Sequence, residues 1–454
     1  MLRGSIVTLA LAALLFAYAA SAQLGGDEMF HLVWGSDILH GRTPDLESSV
    51  APTMHPLELL VAVPAAALGR LGDDAMRIVA LLGLVATAAA LYRIGTRLFS
   101  RAVGVVAALL FVTRPHLLEM AHHAEPDVLA VAAIAWAAVV ALEWPHRRTI
   151  VLALLAVAGL LRPEAWLLAL AYAAWQARGK ARREQAQLAL LALAGPALWA
   201  LTDLLLTGDP LLSFLRTRDR TTLLARETGL PAALDLLPHH LGFLLGLPIL
   251  LVGVLGFVAG LWYATRRAAP PAAAAIGFGA AFVALGIAGL SLQPRYLVGL
   301  SAVICLFAAI GALGWRSLRP GSRGRTAWQV AGILGVIVLL VGIPWDLRKH
   351  DQVRTALLDQ SAKLDELTRG DVATALKRCR PIQAGSARAI PHLAYWIGVA
   401  PTEIVVGTGG AHALVTPTAT TDAYLAGHPP IVITPPAGMR RLAANEAWQA
   451  YVAC

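Results

Sequence analysis

Asp27 and Glu28 are adjacent carboxylates in the stretch Gly25-Gly26-Asp27-Glu28-Met29-Phe30, just after an apolar run from Ile6 to Ala22. An isolated acidic pair at a membrane edge is ordinarily a solvated loop. This pair is followed, along the chain, by further polar groups set between apolar runs. Arg114, His116, His122, His123, Glu125 and Asp127 lie in one short stretch. Arg162 and Glu164 come next, then Asp209 with Arg216, Arg218 and Arg220, and finally Arg295. Carboxylates and guanidiniums in this mixture suit group transfer from a phosphate. A carboxylate accepts the proton of an attacking hydroxyl. Arginines neutralise the phosphate that leaves, through planar paired hydrogen bonds.

Such groups act together only if the chain carries them to one surface. The 454 residues are 57% hydrophobic and 14% charged, against about 25% charged in soluble domains, with a mean hydropathy of +0.65. That composition implies a multi-span membrane protein. The net charge of +9 falls in clusters between apolar runs, which is the orientation signal of cytoplasmic loops. No interleaving of basic and aromatic residues suggests a nucleic-acid groove, so no nucleic-acid partner is expected. Three cysteines without CxxC spacing argue against a cysteine metal centre. The first apolar run, ending Ala20-Ser21-Ala22-Gln23, fits either a retained first helix with Arg3 inside or a cleavable signal peptide. Either places Asp27 outside.

Residues 24–72 contain Gly41, Pro44, Pro52, Pro56 and Pro64 and read as too broken for a span. Pro56 to Leu71 reads as a helix lying in the outer interface. Spans are then expected over 75–98, 102–113, 127–142, 149–161, 165–177, 188–206, 242–264, 272–292, 296–315 and 328–345. The arginine clusters at 93–101, 147–148, 178–183, 266–267 and 316–325 stay on one side. The expected fold is an all-α polytopic membrane protein of about eleven transmembrane helices, residues 1–345, followed by a small extracytoplasmic α/β domain, residues 346–454. In that tail, residues 351–376 have helical apolar spacing, and Glu403–Val406 and Ile431–Thr434 read as strands. Two cysteines in one outward domain, Cys379 and Cys454, are expected to pair.

With this sidedness the acidic pair and the later polar loops share the outer face, and the order of motifs resembles the GT-C glycosyltransferases. These integral-membrane enzymes use polyprenyl-phosphate-linked sugars and include protein O-mannosyltransferases and aminoarabinose transferases. The resemblance rests on Asp27-Glu28 after the first span, His55-Pro56-Leu57 with Leu68-Gly69, Arg114-Pro115 through Glu125-Pro126-Asp127, Leu161-Arg162-Pro163-Glu164 and Gln293-Pro294-Arg295-Tyr296. It covers about residues 1–345.

Carried over by position, the resemblance implies Asp27 as the base that activates the acceptor. Glu28 would orient the acceptor or help hold a divalent metal, and Asp127 or Glu125 would be the second acid. Arg162 and Arg295 would face the donor phosphate. His55 stands where some relatives carry Lys, and its charge near neutrality is only partial, so it is placed beside the site together with Glu125. The implied activity is hexosyl or pentosyl transfer to a lipid, glycan or protein acceptor at the extracytoplasmic face of the plasma membrane. The other classes are a transporter or flippase of lipid-linked saccharides and a non-enzymatic assembly protein. A transporter tends to place charges mid-span with repeat symmetry. Here the acids lie at span ends.

Overall fold

The computed structural model of the chain describes residues 24–48, 50–223, 226–406, 411–418 and 432–454. The apolar run from Ile6 to Ala22 lies outside these residues. The chain is mostly helical and divides into two compact units. One comprises residues 55–57 and 79–350, the other residues 24–54, 58–78 and 351–454.

In the first unit the apolar runs become helices, with lengths set by their punctuation. Among the described residues five helices are long and apolar enough to cross a membrane, or seven if each of two bent pairs is one crossing. The five are Gly69–Leu98, Pro126–Glu143, Leu247–Ile287, Pro294–Ser317 and Arg323–Gly342. The first bent pair, Arg101–Val112 with Pro115–His122, turns by 62°. Pro115 disfavours helical geometry at Arg114, whose ψ is 122°. The second, Arg182–Ala192 with Ala194–Thr207, turns by 45° where one span was expected over 188–206. The expected spans at 242–264 and 272–292 appear as one 41-residue helix broken at Ala264 (φ −140°, ψ 38°). Pro270 and Pro271 just beyond remove two amide donors, so the break belongs where the sequence places it.

The expected spans at 149–161 and 165–177 are the 12-residue helix Arg148–Gly159 and the 14-residue helix Glu164–Ala177. At 1.5 Å per residue each is about 18–21 Å long, short of the roughly 30 Å hydrocarbon layer. They pack as a hairpin, with the Trp166 indole donating to the Gly159 carbonyl at 3.0 Å. Val151, Leu152, Leu155, Ala169 and Ala173 share one core with Ala137 and Val140 of the Pro126–Glu143 helix. The tightest helix contact joins Leu247–Ile287 to Val298–Leu313. A Cβ on Gly256 would overlap the Phe307 carbonyl, and one on Gly311 would overlap the Val252 carbonyl. Close approach at small residues is how helices associate where no water drives them together. The stretch expected as an outer loop, 207–240, is largely helical, in Leu212–Leu223 and the start of Gly229–Leu245. Asp203 caps the first of these, accepting from the Ser213 amide at 3.1 Å and hydroxyl at 2.8 Å.

The second unit is assembled from three separate stretches. The broken stretch 24–72 holds the helix Gly26–Leu39 and the expected interfacial helix, Pro56–Ala66, followed by a 3₁₀ turn at Gly69–Leu71. These pieces are tied to the C-terminal part by specific hydrogen bonds. Asp45 accepts from the Thr402 amide at 2.9 Å and hydroxyl at 2.7 Å, and the Tyr395 hydroxyl donates to the Gly69 carbonyl at 2.6 Å. The C-terminal part carries a sheet of β1 (Ile382–Ala384), β2 (Ile404–Val406), β3 (Ala413–Pro417), β4 (Arg440–Ala444) and β5 (Trp448–Val452), in the order β2-β1-β3-β5-β4. β1 pairs parallel with β2 and β3, and β5 pairs antiparallel with β3 and β4.

The expected strand at Glu403–Val406 is therefore present as β2. Ile431 lies outside the described residues, and Val432 to Thr434 form no strand. The Ile433 amide donates instead to the Thr416 hydroxyl at 2.9 Å, and Pro435 and Pro436 could donate to no ladder.

A disulfide joins Cys379 to Cys454, with Cα atoms 5.7 Å apart across 75 residues of sequence. It ties the end of the Asp371–Arg378 helix to the end of β5. Closing a loop of this length stabilises the unit by about 3–5 kcal/mol in the chain-entropy account. Cys379→Ser is expected to lower the denaturation midpoint of the C-terminal unit accordingly. Thiol alkylation with mass analysis should find both sulfurs blocked before reduction and free after it, and free thiols in untreated membranes would refute the pairing.

Candidate active site

The first unit brings three sequence-expected residues into one cleft. Asp127 sits in the first turn of the Pro126–Glu143 helix, with Pro126 at its first position and Glu125 as its N-cap. The preceding turn holds Ala124 at φ 63°, a left-handed backbone that a residue with a Cβ rarely adopts. Arg162 stands at the tip of the 148–177 hairpin, where its amide donates to the Ala158 carbonyl at 2.8 Å. Glu164 begins the second arm. Arg295 and Tyr296 belong to the 3₁₀ turn Pro294–Leu297 that leads into the Val298–Leu313 helix. Asp127, Arg162, Glu164, Arg295 and Tyr296 all line the cleft, and Phe278 and Phe282 form its apolar wall.

Arg162 and Asp127 form an ion pair, both buried. The Arg162 guanidinium lies 5.3 Å from the centre of the Tyr296 ring, and that of Arg295 lies 6.0 Å from the same ring. Two cations thus share one aromatic ring. The Nε of Arg162 and one carboxylate oxygen of Glu164 have no hydrogen-bond partner among the described residues. Burial pushes the Glu164 carboxyl above its usual range, against the opposing pull of Arg162. A buried guanidinium with donor capacity to spare, beside a second one, presents the geometry that holds phosphate oxygens. The wall is closely fitted. A Cβ on Gly299 would overlap the Phe278 ring, so glycine is the residue that lets this ring reach the cleft.

Asp27 and Glu28 belong to the second unit, in the first turn of the Gly26–Leu39 helix, where acids complement the helix dipole. Neither neighbouring glycine needs a left-handed backbone, since Gly25 has φ −64° and Gly26 is helical. The helix itself directs the two side chains, about 100° apart for consecutive residues. Asp27 is half-buried, whereas Glu28 is 2% exposed. One turn on, the buried His31 has its Nδ1 2.9 Å from the Asp27 carbonyl and 3.6 Å from the buried Glu58 carboxylate. His31 was not singled out in the sequence. Its signal is the four-residue spacing from Asp27, which is visible only once this stretch is known to be helical.

The remaining candidates stand apart from the cleft. His55 is buried edge-on against Trp199, with ring centres 5.6 Å apart. Arg114 donates to the Leu245 carbonyl at 3.2 Å. His116 stacks on Phe243 at 3.7 Å. Arg216 and Arg218 project from the Leu212–Leu223 helix. Among the described residues no three His, Cys, Asp or Glu side chains are placed to hold a metal ion, which includes the His122-His123 stretch. The sequence offers Tyr296 only as the last residue of the Gln293-Pro294-Arg295-Tyr296 motif, and Phe278 and Phe282 are not legible as site residues, because an aromatic side chain in an apolar run looks like core.

Residues 56–200 match the family model of dolichyl-phosphate-mannose-protein mannosyltransferase. No curated protein sequence matches the chain. The fold is similar to that of ArnT from Cupriavidus metallidurans, with a TM-score of 0.61 to the apo crystal structure and 0.59 to the structure bound to undecaprenyl phosphate. Both are 15% identical to the chain and cover 100% of it and 98% of their own length. The archaeal oligosaccharyltransferase AglB from Archaeoglobus fulgidus aligns over 88% of this chain and 64% of its own, at 13% identity and a TM-score of 0.49. The likeness to the GT-C superfamily is thus present both in the sequence of the 56–200 segment and in the fold of the chain.

Proposed function

We propose that this multi-pass membrane protein is a glycosyltransferase that moves a sugar from a polyprenyl-phosphate donor to an acceptor hydroxyl at the extracytoplasmic face. The observation that carries this reading is the convergence of Arg162 and Arg295 over Tyr296 in a cleft walled by Phe278 and Phe282. The cations suit the phosphate and the aromatic wall suits the first prenyl carbons. The matched family and the lipid phosphate bound to ArnT support the same donor class.

In the reaction the acceptor oxygen attacks the anomeric carbon of the sugar and the bond from that carbon to the phosphate oxygen breaks. The acceptor proton passes to a carboxylate, for which we assign Asp27. Polyprenyl phosphate leaves with its charge met by Arg162 and Arg295. Asp127 holds Arg162 in place, Glu28 orients the acceptor, and Glu125 stands beside Asp127 at the edge of the site. About eleven crossings, with the arginine clusters inside, would put Asp127, Arg162 and Arg295 on the outer face. The tail from residue 346 would then lie outside as well.

Purified protein given a labelled polyprenyl-phosphate sugar should release free polyprenyl phosphate and form a labelled acceptor product. Movement of intact donor across vesicles without release would replace the enzyme by a flippase. Arg295 has a specific consequence here. A hydrogen bond to a charged group contributes about 1.5–3 kcal/mol, so Arg295→Ala should raise the donor KM at least about tenfold with normal expression and melting. An unchanged KM would assign Arg295 to ordinary anchoring at the membrane interface.

A further inference from the structure

A second concentration of charge lies at the far end of the Val298–Leu313 helix from Arg295. Sixteen helical residues separate the two ends by about 24 Å, and the Pro294–Ser317 segment is long and apolar enough to cross a membrane. Such a crossing would put the two sites at opposite membrane faces. Arg266 and Arg267 follow the helix break at Ala264, and Arg316, Arg319, Arg323 and Arg325 lie on the turn after Val298–Leu313 and the start of the next helix. Residues 236–345 contain no Asp or Glu at all, and none of these six arginines forms an ion pair with a described residue.

The turn is nevertheless well fixed. Arg316 and Arg325 lie 5.3 and 5.4 Å from the Trp315 ring centre, and Arg325 donates to the Leu318 carbonyl at 3.3 Å. Tyr263 stacks on Trp328, with ring centres 5.9 Å apart. This holds the broken helix against the turn. Between them is an open hollow lined by Tyr263, Thr265, Arg266, Arg267 and Ser317. Trp262, 79% exposed, stands next to it in sequence, as an aromatic residue does at headgroup depth.

We infer that this hollow binds the phosphate of an anionic phospholipid. Guanidiniums stay charged at any physiological pH and match phosphate oxygens in pairs. Crowded together without acids, they need an anion from outside the chain. The hollow opens where two membrane-crossing helices end, so the anion at hand is a lipid headgroup. Positive loops alone would orient the chain, but orientation requires neither a helix break nor a hollow that places Arg266 and Arg267 beside the arginine-rich turn at Ser317 and Leu318. The inference rests on the membrane crossing and is independent of the transfer reaction.

The test uses the full chain, purified in mild detergent and offered phosphatidylglycerol or phosphatidylcholine of identical acyl chains, with bound lipid counted by native mass spectrometry. The intact protein should retain phosphatidylglycerol in preference to phosphatidylcholine. R266Q/R267Q should lower phosphatidylglycerol retention at least fivefold with phosphatidylcholine unchanged, and R266K/R267K should keep most of it. If R266Q/R267Q does not fold, R316Q/R319Q on the exposed turn carries the same expectation. Equal phosphatidylglycerol retention in the folded Gln variants would overturn the site. Displacement of the lipid by inorganic phosphate at millimolar concentration would make it a soluble-anion site and overturn the lipid assignment.

Discussion

Replacing Asp27 by Asn is expected to leave the protein folded and able to bind its donor, and to lower its turnover at least about a hundredfold, the scale of a lost general base. A hydroxyl attacks an anomeric carbon slowly unless its proton is taken as the bond forms. Asn keeps the shape of Asp and cannot take a proton. Asp27 suits the role because it is half-buried at the open first turn of the Gly26–Leu39 helix, whereas its neighbour Glu28 is 2% exposed. Consecutive helix residues face different directions, so the two carboxylates cannot share one task. Glu28→Gln should therefore affect turnover less than Asp27→Asn. The measurement is release of polyprenyl phosphate at saturating donor, with elution volume and melting as controls. Near-normal turnover in Asp27→Asn, with loss of turnover in Asp127→Asn, would move the base to the Pro126–Glu143 helix.

Asp127→Asn is expected to act through Arg162. Removing one partner of a buried ion pair leaves the other charge uncompensated and typically costs about 3–5 kcal/mol. Here Asp127 is 3% exposed and Arg162 8%, and no other carboxylate is ion-paired with Arg162 among the described residues. The variant should melt well below the parent. A lipid phosphate that meets Arg162 replaces the missing anion, and a ligand that binds only the folded state raises its stability. Added polyprenyl phosphate should therefore raise the melting temperature of Asp127→Asn more than that of the parent. Asp127→Glu should recover part of the loss without lipid. An equal effect of the lipid on both proteins would mean that its phosphate does not meet Arg162.

The expected and observed architectures differ where local signals were weak. The arginine clusters and apolar runs located the long helices, because those signals come from the membrane itself. The 12- and 14-residue helices around Arg162 lie within a few residues of the bounds expected from the apolar runs, but their packing as a hairpin rests on contacts that composition does not reveal. The stretch after Ala22 is too broken by prolines and glycines for a span, and the 14-residue helix Gly26–Leu39 within it, which ends before Gly41, carries no pattern that marks it out in the sequence. Arg162 and Arg295 were legible as site residues because an arginine beside proline at the end of an apolar run stands out. Phe278 did not, since its place in the cleft depends on the space left by Gly299, 21 residues further on, and the part of Tyr296 depends on Arg162, which comes to it from a distant helix. β4 was missed because Arg440–Ala444 lacks alternation, and its pairing with β5 is a product of tertiary context.

The most direct test of the account is a density map of the full chain in lipid with an added polyprenyl phosphate. The account places the phosphate between the Arg162 and Arg295 guanidiniums, within hydrogen-bond distance of both, with the first prenyl carbons against Phe278 and Phe282. Clear density for the lipid phosphate at any other place, with this cleft filled only by water, would contradict it.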